Sequence, residues 1–124
     1  MNVVDSSGWL EYFAASERAT FFERAIEDVD ALIVPAIALY EVYKVVLRQR
    51  SETDALSAVA FMRQGRIVAV DADLALLAAE LSVAHGLPMA DAMILATART
   101  HEATLWTQDG DFEGLEGVRF IPKR

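Results

Sequence analysis

The stretch Ala31-Leu32-Ile33-Val34-Pro35 decides the fold, because it predicts a short buried strand that leads directly into a helix. Four apolar residues in a row are typical of a strand covered on both faces. Pro35 lacks an N–H, which a helix does not use in its first turn, so the next helix is predicted to open here and run to about Arg50. A strand followed at once by a helix is the repeating unit of a parallel α/β fold.

Four more apolar runs predict strands on either side of this unit: Val3-Val4, Ile67-Val68-Ala69-Val70 (also buried), Thr104-Leu105-Trp106-Thr107 and Val118-Arg119-Phe120-Ile121. Helices are predicted between them, over residues 8–15, 17–27, from 51 or 53 to 62, 73–85 and 89–101. Parallel strands with helical crossovers place helices on both faces of the sheet. We therefore expect an α/β fold, a three-layer α/β/α sandwich around a parallel sheet of four to five strands.

Length and composition predict a single domain over residues 1–124, with 54% hydrophobic residues available for one core. The absence of Cys excludes disulfides and thiolate metal sites. With no signal peptide and no apolar run of about 20 residues, we expect a soluble, cytoplasmic protein without a membrane span. The net charge of −8 argues against a basic nucleic-acid-binding surface, unless several carboxylates share one pocket and are neutralised there by metal.

Four acids are predicted near the carboxyl ends of the strands, where open α/β sheets bind ligands. Asp5 ends the first strand, Asp109 follows the fourth, Glu41 lies two turns into the helix after the second, and Asp91 lies in the first turn of a helix. Three of them are embedded in apolar segments, where a charge is costly unless paired, hydrogen-bonded or bound to metal.

Each acid also has a local interpretation: a helix cap, a helix-dipole partner, an ion pair of Glu41 with Lys44, or a turn. Four of them at one sheet edge favour a shared site. Carboxylates without Cys or paired His are typical ligands of Mg²⁺ or Mn²⁺. Such ions serve the hydrolysis of phosphodiesters.

The chain resembles the PIN domain, specifically the VapC-type toxins of bacterial toxin–antitoxin pairs, over essentially its whole length. The resemblance rests on Glu41 within its helix and on three motifs in matching order: Val3-Val4-Asp5-Ser6-Ser7, Met89-Ala90-Asp91-Ala92-Met93-Ile94-Leu95-Ala96-Thr97-Ala98 and Thr107-Gln108-Asp109-Gly110-Asp111-Phe112. It implies a PIN-like sheet and an endoribonuclease dependent on Mg²⁺ or Mn²⁺. It also implies a toxin that forms a homodimer and is silenced by a cognate antitoxin, whose C-terminal segment wraps it.

Carried over by position, the resemblance implies a catalytic quartet of Asp5, Glu41, Asp91 and Asp109. Asp5, Asp91 and Asp109 would contact metal, and Glu41 would bind a second ion or orient the water. The remaining matches are supporting positions. Ser7 and Thr107 would support the site by hydrogen bonds, and Asp111 matches the second acid of the last motif.

Two surface features have open interpretations. Lys44 and Arg48 follow Glu41 by three and seven residues, so they either contact RNA phosphates or form a solvated face. Two groups of apolar residues have helical spacing and are predicted to be core, or alternatively a dimer or antitoxin surface. These groups are Trp9, Tyr12 and Phe13, and Tyr40, Tyr43 and Leu47.

Two other functions fit parts of the sequence. A phospho-receiver domain would use Asp5 for metal, Asp71 as phospho-acceptor, Thr107 as switch hydroxyl and Lys123, but it leaves Glu41 and the acids of the last two motifs unexplained. A catalytically silent PIN-fold binding module would keep the fold, but nothing in it would require repelling acids to stay together.

Overall fold

The computed structural model describes residues 1–123 and contains one parallel sheet of five strands. The strands are β1 (Asn2–Val4), β2 (Leu32–Pro35), β3 (Arg66–Val68), β4 (Thr104–Thr107) and β5 (Val118–Phe120). Their order across the sheet is β3-β2-β1-β4-β5, and every neighbouring pair is parallel. The order reverses around β1, so the carboxyl ends of β1 and its neighbours β2 and β4 form the switch point at which such sheets bind ligands.

Six helices flank this sheet: α1 (Ser6–Phe13), α2 (Ala19–Glu27), α3 (Ala36–Gln49), α4 (Glu52–Met62), α5 (Ala72–His85) and α6 (Met89–Thr100). Successive strand residues face opposite sides, and the two halves of the core follow this alternation. Val3 packs in a cluster with residues of α5 and α6, whereas Val4 packs in a cluster with residues of α1 to α4. The predicted α/β/α sandwich around a parallel sheet is therefore confirmed, with five strands.

Local signals place several helix ends. The side chain of Asp5 accepts a hydrogen bond from the Gly8 N–H and starts α1, so this helix begins before the predicted residue 8. It ends at Phe13 because Ala15 has a positive φ of 51°. Gly86 closes α5 in the left-handed conformation (φ 66°), as its position after a helical run predicts.

The prediction of a buried strand at residues 67–70 is wrong in its burial and its length. β3 covers Arg66–Val68 and is the edge of the sheet, so it has one strand neighbour and incomplete cover from the helices. Val70, predicted to be the last residue of that strand, lies beyond it and is 41% exposed. An apolar run therefore marked the strand but not its position in the sheet.

Within residues 1–123, no single helix is long and apolar enough to cross a membrane. α5 and α6 reach the required length and apolar composition only together, and they are bent by 114° at their junction.

Candidate metal centre

Asp5 lies where β1 ends and α1 begins, and three groups hold its carboxylate. Oδ1 accepts the Gly8 N–H at 2.9 Å, Oδ2 accepts the Thr107 hydroxyl at 2.5 Å, and the Ser7 hydroxyl lies 3.1 and 3.2 Å from the two oxygens. The side chain is almost fully buried. Burial raises the pKa of Asp5, and the hydrogen bond from Thr107 is the largest effect that opposes the rise.

The turn into α1 depends on Gly8, which sits against the second core cluster. A Cβ at this position would lie 2.6 Å from a carbon of the Phe22 ring and 2.7 Å from Val4. Only a residue without a side chain lets α1 approach β1 and α2 this closely. The close approach keeps the N-terminus of α1 beside the carboxylate of Asp5.

Thr107, the last residue of β4, connects Asp5 to the acidic loop that follows. Its Oγ1 donates to Asp5 and accepts the N–H of Asp109 at 2.9 Å. Asp109 in turn accepts the N–H of Asp111 through Oδ1 at 2.9 Å, which closes a 3-10 turn over Gly110–Phe112. The fully buried ring of Phe112 anchors this turn in the core. The loop is therefore held at both ends.

Asp91, in the first turn of α6, completes a close group of carboxylates. Asp91, Asp109 and Asp111 each present an oxygen within 4.8 Å of the other two. The pKa of Asp91 is raised to about 7, mainly because the side chain is partly buried. The negative charges of Asp109, Glu41, Asp5 and Asp111 raise it further, in that order. Five acids from four separate parts of the chain thus interact at one place.

Glu41 reaches this place from α3 and is held by a residue on α1. The Ser6 hydroxyl donates to Glu41 Oε1 at 2.6 Å, across 35 positions of sequence. The ion pair of Glu41 with Lys44, one of the local interpretations, is not formed: within residues 1–123 the one salt bridge joins Arg50 and Asp54. The charge of Glu41 therefore adds to the acidic group without a cationic partner.

Oxygen ligands and clustered negative charge suit a hard divalent cation such as Mg²⁺ or Mn²⁺. Asp91, Asp109 and Asp111 fit such an ion, because their close oxygens repel one another when nothing positive lies between them. Asp5, a predicted metal contact, is not a member of this close group. Its three hydrogen-bond donors leave at least one of about four lone-pair positions on the carboxylate free.

The structure separates the residues that a phospho-receiver domain would need. Asp71 follows the edge strand β3, two strands away from β1, and its side chain caps α5 by accepting the N–H of Leu74. Lys123, near the end of the described chain, is exposed and has no hydrogen bond or ion pair with Asp5 or Thr107 in residues 1–123. Neither residue belongs to the acidic group around Asp91.

The two groups of apolar helical residues differ in burial. Trp9 is fully buried, and Tyr12, Phe13 and Tyr43 pack against the core, as predicted. Tyr40 and Leu47 are 58% and 43% exposed, so their assignment to the core is wrong. The reason is that α3 buries a different stripe, formed by Ala38, Val42 and Val46.

Two residues near the acids were missed at the sequence level, Ser6 and Gln108. Gln108 is buried, its Oε1 has no hydrogen-bond partner, and it borders a groove of about 750 Å³ between α1, α3 and α4. Ser7 borders the same groove, which therefore opens beside the acidic site. The sequence signal for Gln108 was its place between Thr107 and Asp109, which predicts proximity to the site but not burial.

A family model for the PIN domain matches residues 3–118. A toxin–antitoxin complex from Klebsiella pneumoniae has a similar structure, with a TM-score of 0.79 and 24% identity over 96% of each chain. The sarcin–ricin loop cleaving toxin VapC20 of Mycobacterium tuberculosis has a TM-score of 0.78 and 23% identity over 94% of this chain and 95% of that one. FitAcB from Neisseria gonorrhoeae has a TM-score of 0.70 and 20% identity over 98% and 96%. No curated protein matches the chain.

Proposed function

The chain belongs to the PIN domain family, and from this premise we propose that it is a nuclease, specifically a divalent-metal-dependent endoribonuclease that acts as the toxin of a toxin–antitoxin pair. Residues 1–124 would form one catalytic domain. The observation that carries the proposal is the convergence of Asp91, Asp109 and Asp111, with Asp5 and Glu41 close enough to raise the pKa of Asp91. Such mutual repulsion lowers stability, so the arrangement is better explained by a bound cation than by structure alone.

In this proposal, Asp91, Asp109 and Asp111 would hold Mg²⁺ or Mn²⁺, and Asp5 would contribute through its free lone pair. The chemistry that such an ion supplies is orientation of the phosphate, a lower pKa for a bound water and neutralisation of the leaving oxygen. Thr107 fixes the two sides of the site relative to each other, because its one hydroxyl contacts both Asp5 and the backbone of Asp109. Ser7 adds a weaker restraint on Asp5.

Glu41 would orient the attacking water or help to hold a second ion. Its Oε1 accepts from Ser6, which leaves Oε2 to accept a further hydrogen bond. Asp91 has a pKa of about 7 and therefore carries a proton for part of the time near neutral pH. Positive charge in the site favours its ionised form, so occupation of the site would release that proton.

The partners proposed here are supported by the family and by two surfaces. Similar structures include toxin–antitoxin complexes from Klebsiella pneumoniae and Salmonella typhimurium, the second bound to DNA. By analogy, we propose a cognate antitoxin for this chain, whose segment would lie in the groove beside Ser7. A homodimer is the second partner proposed, and exposed apolar residues on and after α5, Leu76, Val83 and Met89, offer a contact surface for it. Action on cellular RNA implies a cytoplasmic location.

RNA binding beside the acids is assigned to Lys44 and Arg48. Both are exposed on α3, the helix that carries Glu41, and neither takes part in the one salt bridge within residues 1–123. Their charges would attract the phosphates on either side of the bond that is cut.

The test is an RNA-cleavage assay with Mn²⁺, with and without EDTA, on wild type and on Asp5→Asn and Asp71→Asn. Asp71→Asn is the matched control, because Asn also caps a helix and Asp71 lies outside the acidic site. We expect cleavage that EDTA abolishes, a loss of about 100-fold or more in Asp5→Asn, and full activity in Asp71→Asn. Metal-independent cleavage, or full activity in Asp5→Asn, would contradict the mechanism. RNA binding without any cleavage would instead favour a silent binding module.

A further inference from the structure

Tyr40 and Lys44 form an exposed pair on α3, next to Glu41. More than half of the Tyr40 side chain is open to solvent. The Nζ of Lys44 lies 3.5 Å from the Tyr40 hydroxyl and 5.6 Å from the centre of its ring. An open aromatic ring with a cation beside it offers the two contacts that single-stranded nucleic acids use, stacking of a base and attraction of a phosphate.

The position of the pair follows from helix geometry. Each residue turns about 100° around the helix axis. Lys44 is therefore offset by about 60° from Glu41, and Tyr40 by about 100° in the same direction. Both lie within one turn of Glu41, on its flank, while the opposite stripe of α3 is buried in the core. Tyr40 and Lys44 therefore line the solvent-facing side of α3 next to Glu41.

The charge of this flank is opposite to that of the molecule as a whole. The chain carries a net charge of −8, yet Lys44 and, one turn further, Arg48 have no acidic partner within the part of the chain that the structure describes. The cations of this flank are thus free to bind an anion. When one phosphodiester of the substrate lies at the acids, the next phosphate along the strand is an anion that these cations can bind.

We propose that Tyr40 and Lys44 form a subsite for an unpaired nucleotide next to the scissile phosphate. The base stacks on the open Tyr40 ring, and Lys44 binds the phosphate of the same nucleotide. This inference rests on the proposed ribonuclease function and adds to it a residue, Tyr40, that contacts a base. Bases within a duplex are already stacked on their neighbours, whereas unpaired bases are free to stack on an aromatic ring.

The experiment measures by fluorescence anisotropy how tightly a labelled single-stranded RNA binds to the full chain, in wild type and in variants. EDTA is present, so that the proposed metal-dependent cleavage does not occur, and the measurement is repeated at several salt concentrations. Tyr40→Ala should weaken binding by about 5- to 150-fold, the usual range for losing one stacked base, while Tyr40→Phe keeps it. Lys44→Ala should reduce the slope of log affinity against log salt by about 0.7, the value for one phosphate contact on a single strand. The matched controls are Leu56→Ala and Arg63→Ala, which remove an exposed apolar and an exposed cationic side chain from the region of α4.

Two further measurements keep the outcomes distinct. An RNA with abasic nucleotides should bind wild type and Tyr40→Ala equally, which tests stacking in the unmodified protein. The KM for Mn²⁺-dependent cleavage should rise in Tyr40→Ala. Wild type that does not cut RNA would refute the proposed function. Wild type that cuts RNA, with Tyr40→Ala unchanged in both affinity and KM, would refute this subsite alone. Conversion of a dimer to a monomer by Tyr40→Ala, with RNA affinity unchanged, would assign the surface to a second copy of the chain and overturn the proposal.

Discussion

Replacing Asp91 with Asn should stabilise the metal-free protein at pH 8, because it removes a repelled charge from the acidic group. The pKa of Asp91 rises from its ordinary 3.8 to about 7, a rise of about 3. Each pKa unit corresponds to about 1.4 kcal/mol, so full transfer into stability would give about 4 kcal/mol. Asp91 is only half-buried and water screens its charge. We therefore expect the free energy of unfolding to increase by about 1–2 kcal/mol.

The change in stability with pH follows from the pKa values of Asp91 in the folded and the unfolded protein. Because the folded-state pKa of Asp91 lies above its unfolded value, ionisation of this group favours unfolding. The wild type thus loses stability as pH rises from about 4 to about 7, and Asp91→Asn does not share this loss. The gain in the variant should be smaller at pH 5 than at pH 8. The assay is urea unfolding followed by circular dichroism, in EDTA at both pH values.

Two additions make this assay decisive. The control Asp73→Asn removes an exposed carboxylate from the first turn of α5 and should give no gain. Mn²⁺ should stabilise wild type by mass action, and Asp91→Asn much less. The reasoning is refuted if Asp91→Asn is no more stable than wild type at pH 8, or if its gain is the same at pH 5.

Three other substitutions test the supports of the site. Ser6→Ala should raise the Mn²⁺ concentration needed for half-maximal cleavage, because Glu41 loses its 2.6 Å donor, and Ser6→Thr should restore it; an unchanged requirement would contradict this role. Thr107→Val leaves buried polar groups unpaired and should cost about 1–3 kcal/mol of unfolding free energy. Gly8→Ala should cost about 1–3 kcal/mol through overpacking, and Gly110→Ala, where a Cβ meets open space, much less. Thermal unfolding measures the loss of stability in Thr107→Val and in the two glycine variants. Equal losses in Gly8→Ala and Gly110→Ala would exclude overpacking.

The three layers of the fold could be predicted from the sequence because strands and helices depend on local patterns. Apolar runs such as Ala31 to Val34 mark strands, and Gly86 and Pro35 mark helix ends. The strand order was not accessible, since it depends on which strands pair. For the same reason, the run at residues 67–70 was wrongly predicted to be buried: it lies at the sheet edge.

Apolar surroundings marked three of the acids and the family resemblance marked all four, but the detailed grouping of their oxygens could not be predicted. Asp111 was predicted only to support the site, yet it belongs to the group of close oxygens. The Asx turn from Asp109 places it there. Ser6 left no signal because its partner, Glu41, is 35 positions away and meets it only through packing of α1 against α3.

The exposure of Tyr40 shows that helical spacing alone does not predict which apolar residues are buried. The residues Tyr40, Tyr43 and Leu47 have helical spacing, and so do Ala38, Val42 and Val46 on the same helix. Periodicity predicts an apolar stripe but does not decide which of two stripes faces the sheet. The smaller residues are buried here, in the core cluster that also contains residues of β2 and α4. The larger residue, Tyr40, is thereby left exposed beside the site.

Direct titration of the full chain with Mn²⁺, followed by the electron paramagnetic resonance signal of the free ion, tests whether the converging acids bind metal. Wild type is expected to bind the ion, with an affinity that rises between pH 6 and pH 8 as Asp91 loses its proton. Asp109→Asn should abolish binding, and Asp71→Asn should leave it intact. Wild type that takes up no Mn²⁺ at pH 8, or Asp109→Asn that binds as well as wild type, would contradict the account.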